Sequence, residues 1–234
     1  MVKHIFGRLK NLLRQNSMAE VFFAQDGLLC GRCGNVNPLA DLEPLSFAPC
    51  EKCGFHNFVP RLVSDYLIFE PAGAGGIASV YRASTKEHPE RIYAVKILKQ
   101  EHVDNQEIVD AFLEECRIHS QVPGHTNVAQ YVDGGFVDDV YFYAMDFVEG
   151  ERLYRLVEQQ GKLAEEEALA VLAQMVAGLK HIYASGFLYR DLNADNVIVK
   201  PDGTAVIIDF GLALPIEEAA RASTRDHIWG TGEF

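Results

Sequence analysis

Tyr189-Arg190-Asp191-Leu192-Asn193-Ala194-Asp195-Asn196, followed by Asp209-Phe210-Gly211, is the stretch on which the fold turns. Two short β-branched runs, 196–199 and 205–208, flank Pro201-Asp202-Gly203-Thr204, a composition that favours a tight turn. Asp191 is suited to accept the proton of an incoming hydroxyl, and Asn196, five residues on, to hold a magnesium ion. Asp209 suits a bridge from magnesium to phosphate oxygens, with Phe210 packing beneath it. Asp-Phe-Gly alone recurs by chance. Its weight comes from what precedes it.

Three upstream elements fit the same chemistry. Gly73-Ala74-Gly75-Gly76-Ile77-Ala78-Ser79-Val80 lies between two predicted strands, where glycines let backbone N–H groups approach phosphate oxygens. Ala78 stands where a third glycine is usual, which weakens the pattern. Lys96, in Tyr93-Ala94-Val95-Lys96, sits on an apolar strand, costly unless a negative partner meets it. A nucleotide phosphate is one such partner, and Glu115, in the next predicted helix, is the other. Lys96, Asn196 and Asp209 are expected to meet around one magnesium-bound triphosphate.

Working outward, apolar runs at 66–69, 78–83, 92–98, 128–132 and 140–147 predict five strands, with a helix over 104–121 between the third and fourth. Beyond Glu149-Gly150 the pattern turns helical, and Val171, Leu172, Met175, Val176, Leu179, Ile182 and Tyr183 give 164–184 the period of an amphipathic helix. No internal repeat stands out. Residues 1–20 read as a basic amphipathic helix with Lys3, Arg8, Lys10 and Arg14 between apolar positions, suited to docking on its own protein or to peripheral contact with an anionic membrane. No apolar run is long enough to span a bilayer, no signal peptide is evident, and a cytoplasmic location is expected. A net charge of −12 excludes a broad nucleic-acid footprint.

Residues 27–60 are rich in Gly, Pro and Cys. Cys30-Gly-Arg-Cys33-Gly34 and Cys50-Glu-Lys-Cys53-Gly54 form two C-x-x-C-G turns separated by sixteen residues, the spacing of a tetrahedral four-thiolate site. Zinc and iron both accept such a site: zinc would make it a structural staple, iron a redox device, and zinc is the expectation. Cys116 reads as a small core residue.

From residue 64 to the C-terminus the chain resembles the eukaryotic-like Ser/Thr protein kinases of bacteria. His125-Thr-Asn-Val resembles the usual H-x-N-I/V, and Met145-Asp146-Phe147-Val148-Glu149-Gly150 resembles the gatekeeper and hinge. The resemblance implies an α+β, bilobal protein-kinase fold: a five-stranded N-lobe sheet plus helix over 64–148, a partial helical C-lobe over 149–234, and a small four-cysteine metal knuckle in front. It implies ATP and magnesium as cofactors and a protein substrate, with Asp191, Lys96, Glu115 and Asn193 in catalytic positions. Gly73, Gly75, Gly76 and Lys96 would face the phosphates. Met145, with backbone groups of Asp146 and Val148, would meet the adenine edge, and Val80, Ala94 and Ile198 its faces. Gly230-Thr231 looks like the start of a substrate-binding loop, and Ser223 and Thr224 like candidate phosphorylation sites pairing with Arg190. A C-x-x-C-G pair ahead of such a domain is similar to the bacterial protein kinase G group, soluble kinases with a rubredoxin-like module.

Three departures stand against the pattern. Tyr189 replaces the usual histidine, and repacking is expected. Asn193 replaces the lysine that places positive charge near the transferring phosphate, a loss worth ~3 kcal/mol or about a hundredfold in rate, and it leaves serine/threonine against tyrosine preference open. The chain ends at Phe234, where related kinases continue, so exposed apolar surface is expected. The competing reading is a pseudokinase or nucleotide-binding scaffold with a metal-stabilised interaction module. A small-molecule kinase is a third, opposed by Gly230-Thr231. Oligomeric state has no signature.

Overall fold

The computed structural model describes Ala19 and residues 21–222; the helix expected over 1–20 falls outside that set apart from Ala19, as do Ser223, Thr224 and Gly230-Thr231. Two compact units divide the chain. The first holds the described residues up to Ile97 together with Phe136–Val140, and the second holds Leu98–Gly135 and the described residues from Tyr141 onward.

The first unit opens with two short antiparallel hairpins, β1 (Gly27–Leu29) with β2 (Val36–Pro38) and β3 (Phe47–Pro49) with β4 (His56–Phe58). Each hairpin carries one C-x-x-C-G turn at its tip. The backbone closes both alike: Cys30 N–H donates to Asn35 O at 2.8 Å and Gly34 N–H to Cys30 O at 3.0 Å, while Cys50 N–H donates to Phe55 O and Gly54 N–H to Cys50 O, both at 2.8 Å. Gly34 and Gly54 share a φ of +70°, where a side chain would be strained. A structural repeat with a period of twenty residues is therefore present, although the sequence suggested none. Only cysteine, glycine and asparagine recur at fixed positions, and the strands themselves differ in composition. Leu28, Ala48 and Val59, backed by Leu39 and Leu42, form the core of this module.

Phe58, the last residue of β4, packs on Phe47 and on Tyr81, with ring centroids 5.6 and 5.9 Å apart. A strand not foreseen, β5 (Arg61–Val63), follows and pairs with β6 (Tyr66–Ala74), which pairs with β7 (Ala78–Thr85); β8 (Tyr93–Leu98) comes next in the order. Tyr66, Leu67, Ile68 and Phe69 are all buried, so the opening of β6 is core on both faces.

In the second unit, α1 (Gln106–Gln121) starts two residues later than the periodicity suggests because Asn105 caps it, accepting from Glu107 N–H at 3.1 Å and from Ile108 N–H. Its buried face is Val109, Phe112, Glu115, Cys116, Ile118 and His119. The strand expected at 128–132 begins instead at Tyr131: Val128 and Ala129 are buried as loop, with Ala129 N–H bonded to Ile207 O at 2.8 Å. Thus β9 (Tyr131–Val137) and β10 (Val140–Asp146) are joined by Asp138-Asp139, whose φ values of 47° and 61° suit a two-residue hairpin turn.

The rest is helical with small sheets. After β11 (Glu151–Arg152) come α2 (Leu153–Gln160) and α3 (Glu165–Ala184), then β12 (Phe187–Leu188), β13 (Val197–Val199), β14 (Ala205–Ile207), β15 (Leu214–Pro215) and α4 (Ile216–Ala222). Strand order is β11-β13-β14, and β12 pairs with β15. Asn127 ties three segments together. Its Nδ2 donates to Ala205 O at 2.8 Å and Gln174 Oε1 at 3.0 Å, and its carbonyl accepts from Ile207 N–H at 2.9 Å. On α3, Val171, Met175, Gly178 and Ile182 are buried, whereas Leu169, Leu172, Val176 and Tyr183 are exposed, the apolar surface expected from the sequence.

Candidate functional site

The β13–β14 hairpin sets the geometry of the second unit's polar cluster. Val197 pairs with Ile207, and Ile208 N–H donates to Asn196 O at 3.1 Å, so Asn196 and Asp209 emerge at the same end of the hairpin. Asn196 Nδ2 donates to Asp191 Oδ2 at 2.8 Å and to Asp191 O at 3.2 Å. Asn193 does two things. Its Oδ1 accepts from Asp195 N–H at 2.9 Å and Asn196 N–H at 3.1 Å, capping the single 3-10 turn Ala194–Asn196, and its Nδ2 donates to Asp191 Oδ1 at 3.1 Å. Both oxygens of Asp191 are therefore held by neutral amides.

Asp209 Oδ1 accepts from Gly211 N–H at 2.9 Å, and Phe210 is buried beneath. His119 of α1 stacks on Phe210 with centroids 4.3 Å apart, and Tyr189 meets its edge at 5.8 Å. Tyr189 thus fills an aromatic column, the repacking expected there. It is 3% exposed, and among the described residues its hydroxyl has no hydrogen-bond partner. Burial first, then the carboxylates of Asp209, Asp191 and Glu115, pushes its phenol well up. Arg190 takes a φ of +65°, and its Nε donates to Leu212 O at 2.8 Å, fixing the loop between Asp191 and β15.

Glu115 is 4% exposed, a carboxylate that cannot stay charged at such a position without donors. Tyr143 Oη, fully buried on β10, donates to Glu115 Oε1. Burial, then the charges of Glu115 and Asp209, pushes that phenol well above its ordinary range. The segment after β10 runs past β13: a Cβ on Gly150 would lie 2.7 Å from Ile198 Cγ2 and closer still to Val199 O, so only glycine allows this approach. Met145 and Val148 are buried, and Asp146 N–H donates to Gln130 O at 2.9 Å.

In the first unit, Gly73 pairs with Val80 and Ala74 with Ser79, leaving Gly75-Gly76-Ile77 as the hairpin tip. Gly75 N–H donates to Ala78 O at 2.9 Å. Ala78 is itself buried, so the hairpin accommodates its methyl group and the missing third glycine does not open the loop. Lys96 is half-buried on β8 between buried Val95 and Ile97, and Ala94 is buried on the same strand.

The protein kinase domain family matches residues 66–234, nearly three-quarters of the chain. The chain belongs to the protein kinase family. Among curated relatives it is similar to a probable serine/threonine-protein kinase of Clostridium perfringens, 31% identical over 169 residues, which covers 72% of this chain and 24% of that protein. Serine/threonine-protein kinase PrkC of Bacillus subtilis is 29% identical over 164 residues, 70% of this chain and 25% of its own length. PknA of Corynebacterium glutamicum is 34% identical over 155 residues, 64% of this chain and 33% of its own. The matched region spans about a quarter to a third of the length of these kinases. No helix among the described residues of this kinase chain is long and apolar enough to cross a membrane.

The cysteine module precedes the matched kinase region. Cys30, Cys33, Cys50 and Cys53 bring their sulfurs within 4.8 Å of one another, the one such metal-competent group among the described residues. Cys30 Sγ lies 3.6 Å from Cys53 Sγ and Cys33 Sγ 3.7 Å from Cys50 Sγ. A tetrahedron with metal–sulfur bonds of ~2.3 Å has edges of ~3.8 Å, so these two of the six sulfur pairs stand at metal-ligand spacing. Burial opposes ionisation of Cys30, but the backbone N–H groups of Cys33 and Arg32 outweigh it and bring the thiol down to about 6. For Cys53 the Phe55 backbone favours the thiolate, yet burial and the neighbouring sulfurs push it up to about 12. Cys116 lies apart, buried on α1 with its Sγ 3.8 Å from Tyr131 Oη, and burial raises its thiol.

Sequence reasoning did not single out Tyr143, Asn37 or Asn57: Tyr143 lies inside the run 140–147 read as a strand, and the asparagines lie in the Gly-, Pro- and Cys-rich stretch 27–60. Comparing residues 28–38 with 48–58 in register would have exposed the paired asparagines, each seven residues after the first cysteine of its turn.

Proposed function

We propose that this chain carries the nucleotide-binding and catalytic part of an enzyme that transfers the γ-phosphoryl group of Mg·ATP to a protein Ser/Thr hydroxyl. The carrying observation is Asp191, its two oxygens fixed by Asn193 and Asn196, beside a hairpin that delivers Asn196 and Asp209 at one end. Asp191 takes the proton of the attacking hydroxyl as that oxygen bonds to phosphorus and the bond to the β-phosphate oxygen breaks. Asn196 and Asp209 suit magnesium, which supplies charge neutralisation at the phosphate oxygens when bound. Gly73, Gly75, Gly76 and Lys96 serve the phosphates, with Glu115 as the lysine's structural counterpart. Val80, Ala94, Met145, Asp146, Val148 and Ile198 serve the adenine. In this reading 64–148 is the N-lobe and 149–234 part of the C-lobe of a bilobal kinase acting in the cytoplasm.

The test is incorporation of labelled phosphate by the full-length protein into itself or a generic substrate, with Asp191→Asn alongside. Transfer abolished by the substitution supports the reading. Nucleotide binding with no transfer under any divalent metal would make the protein a pseudokinase, the alternative favoured by Asn193, whose amide engages Asp191 and brings no positive charge.

We further propose that Cys30, Cys33, Cys50 and Cys53 hold zinc as a structural staple, in a module that resembles the rubredoxin-like one of the bacterial protein kinase G group. The support is the edge length of the sulfur cluster and the closure of both turns by their own backbones. Elemental analysis decides it: one zinc per chain is expected, and a red protein containing iron would replace zinc with a redox centre.

A further inference from the structure

Four polar side-chain contacts inside the cysteine module cross from one hairpin to the other. Asn57, on β4, accepts at Oδ1 the Gly31 N–H at 2.9 Å, inside the first C-x-x-C turn. Asn37, on β2, accepts at Oδ1 the Glu51 N–H at 3.0 Å, inside the second. The two short sulfur contacts, Cys30 to Cys53 and Cys33 to Cys50, also cross. Gly31 and Glu51 occupy equivalent positions, each the residue after the first cysteine of its turn.

Both asparagines are buried, at 3% and 7% exposure, and each is oriented by its other end: Asn37 Nδ2 donates to Leu28 O at 3.2 Å and Asn57 Nδ2 to Phe55 O at 2.9 Å. A buried amide with both ends satisfied does not rotate freely, so each Oδ1 is a fixed acceptor. Each turn closes its own ends by backbone bonds, while the N–H of the residue after its first cysteine is held from the opposite hairpin. That N–H sets the tilt of the turn, and with it the direction in which the two sulfurs point.

We infer that Asn37 and Asn57 are reciprocal braces, each positioning the cysteine pair of the other hairpin, so that the four thiolates take up and release their metal as one unit. This rests on the reading of the four cysteines as a metal site. Groups that hold metal ligands from behind change metal affinity by about ten- to a hundredfold when removed. Here the effect has a direction that a local structural role lacks. Loss of Asn57 loosens Cys30 and Cys33, and loss of Asn37 loosens Cys50 and Cys53.

The experiment uses the full chain loaded with zinc, a limiting competing chelator, a thiol-alkylating reagent and peptide mass spectrometry. Wild type is expected to contain one zinc per chain and to alkylate all four cysteines at a common slow rate. Asn57→Ala should release zinc about tenfold faster and alkylate Cys30 and Cys33 ahead of Cys50 and Cys53, with the order reversed in Asn37→Ala. Asn35→Ala, which removes contacts only within its own hairpin, to Asn37 Oδ1 and Val36 O, should show no such order. Amide exchange in the wild-type protein gives a check that needs no variant: Gly31 and Glu51 N–H should be protected in the loaded form. Absence of bound metal from wild type would remove the metal reading itself. Metal bound, but with each substitution loosening its own hairpin first or both equally, or with Gly31 and Glu51 exchanging at solvent rates, would overturn the reciprocal bracing alone.

Discussion

Substituting Asn193 separates two jobs that one side chain performs. Its Oδ1 caps the 3-10 turn through Asp195 and Asn196 N–H, and its Nδ2 straps Asp191 Oδ1. Losing the cap costs ~1 kcal/mol of stability, or about 2–4 °C in Tm for a domain of this size. Losing the strap removes a hydrogen bond to a charged group, ~1.5–3 kcal/mol. Because Asn196 still holds Asp191 Oδ2 at 2.8 Å, that cost falls on the alignment of the base rather than on its retention. Expressed in kcat it is roughly ten- to 150-fold. Asn193→Ala loses both contributions. Asn193→Asp keeps an equally good cap but sets a carboxylate against Asp191, so Tm should stay within about 1 °C of wild type while kcat falls at least as far as in the alanine variant. Steady-state phosphotransfer by the full-length kinase, with KM for ATP unchanged, is the assay, run beside thermal melts. An aspartate variant as active as wild type, or an alanine variant that loses stability but not rate, would refute the assignment of Asn193 as the residue that positions Asp191.

Tyr143→Phe deletes a buried hydrogen bond to the Glu115 carboxylate and should cost ~1.5–3 kcal/mol in urea unfolding; unchanged stability would mean the contact contributes nothing net. Asn127→Ala strips the buried Ala205 carbonyl and Gln174 of a donor, for an expected loss of ~2–3 kcal/mol by the same measurement. His125 stacks on His181 with centroids 4.6 Å apart, and burial together with that neighbour lowers its pKa. The unfolded chain therefore takes up a proton there at higher pH than the folded one, so stability falls as pH drops through the ordinary histidine range of about 6.5. His181→Gln should raise the His125 titration seen by NMR and flatten that fall; an unmoved titration curve would clear His181 as a cause.

The parts that were legible in the sequence are those where chemistry restricts residue type. Asp191, Asn196 and Asp209 could be singled out because the roles proposed for them leave few alternatives at fixed spacing, and the structure puts Asn196 on Asp191 and at one hairpin end with Asp209; the cysteines cluster because paired thiols need short turns. Hydrophobic runs were a poorer guide to boundaries. Val128 and Ala129 are as buried as strand residues, but they make only isolated bridging contacts, to His125 and to Ile207 at the end of β14, and no continuous ladder. Burial reads in composition; hydrogen-bond pattern does not. Pairs as short as β12 with β15 carry no period at all.

Orientation of polar side chains was least legible, and Asn193 shows why. An amide has several partners of similar worth within reach, and which it takes depends on where the 3-10 turn puts its free N–H groups. The outcome bears on function. The carboxylates of Asp209, Asp191 and Glu115 act together on Tyr189, raising its phenol after burial has done so, and the amides of Asn193 and Asn196 orient Asp191. Under the proposed function, Asn193 in place of the usual lysine offers Asp191 a neutral donor, and the cost of the change falls on the step in which charge shifts onto the leaving oxygen.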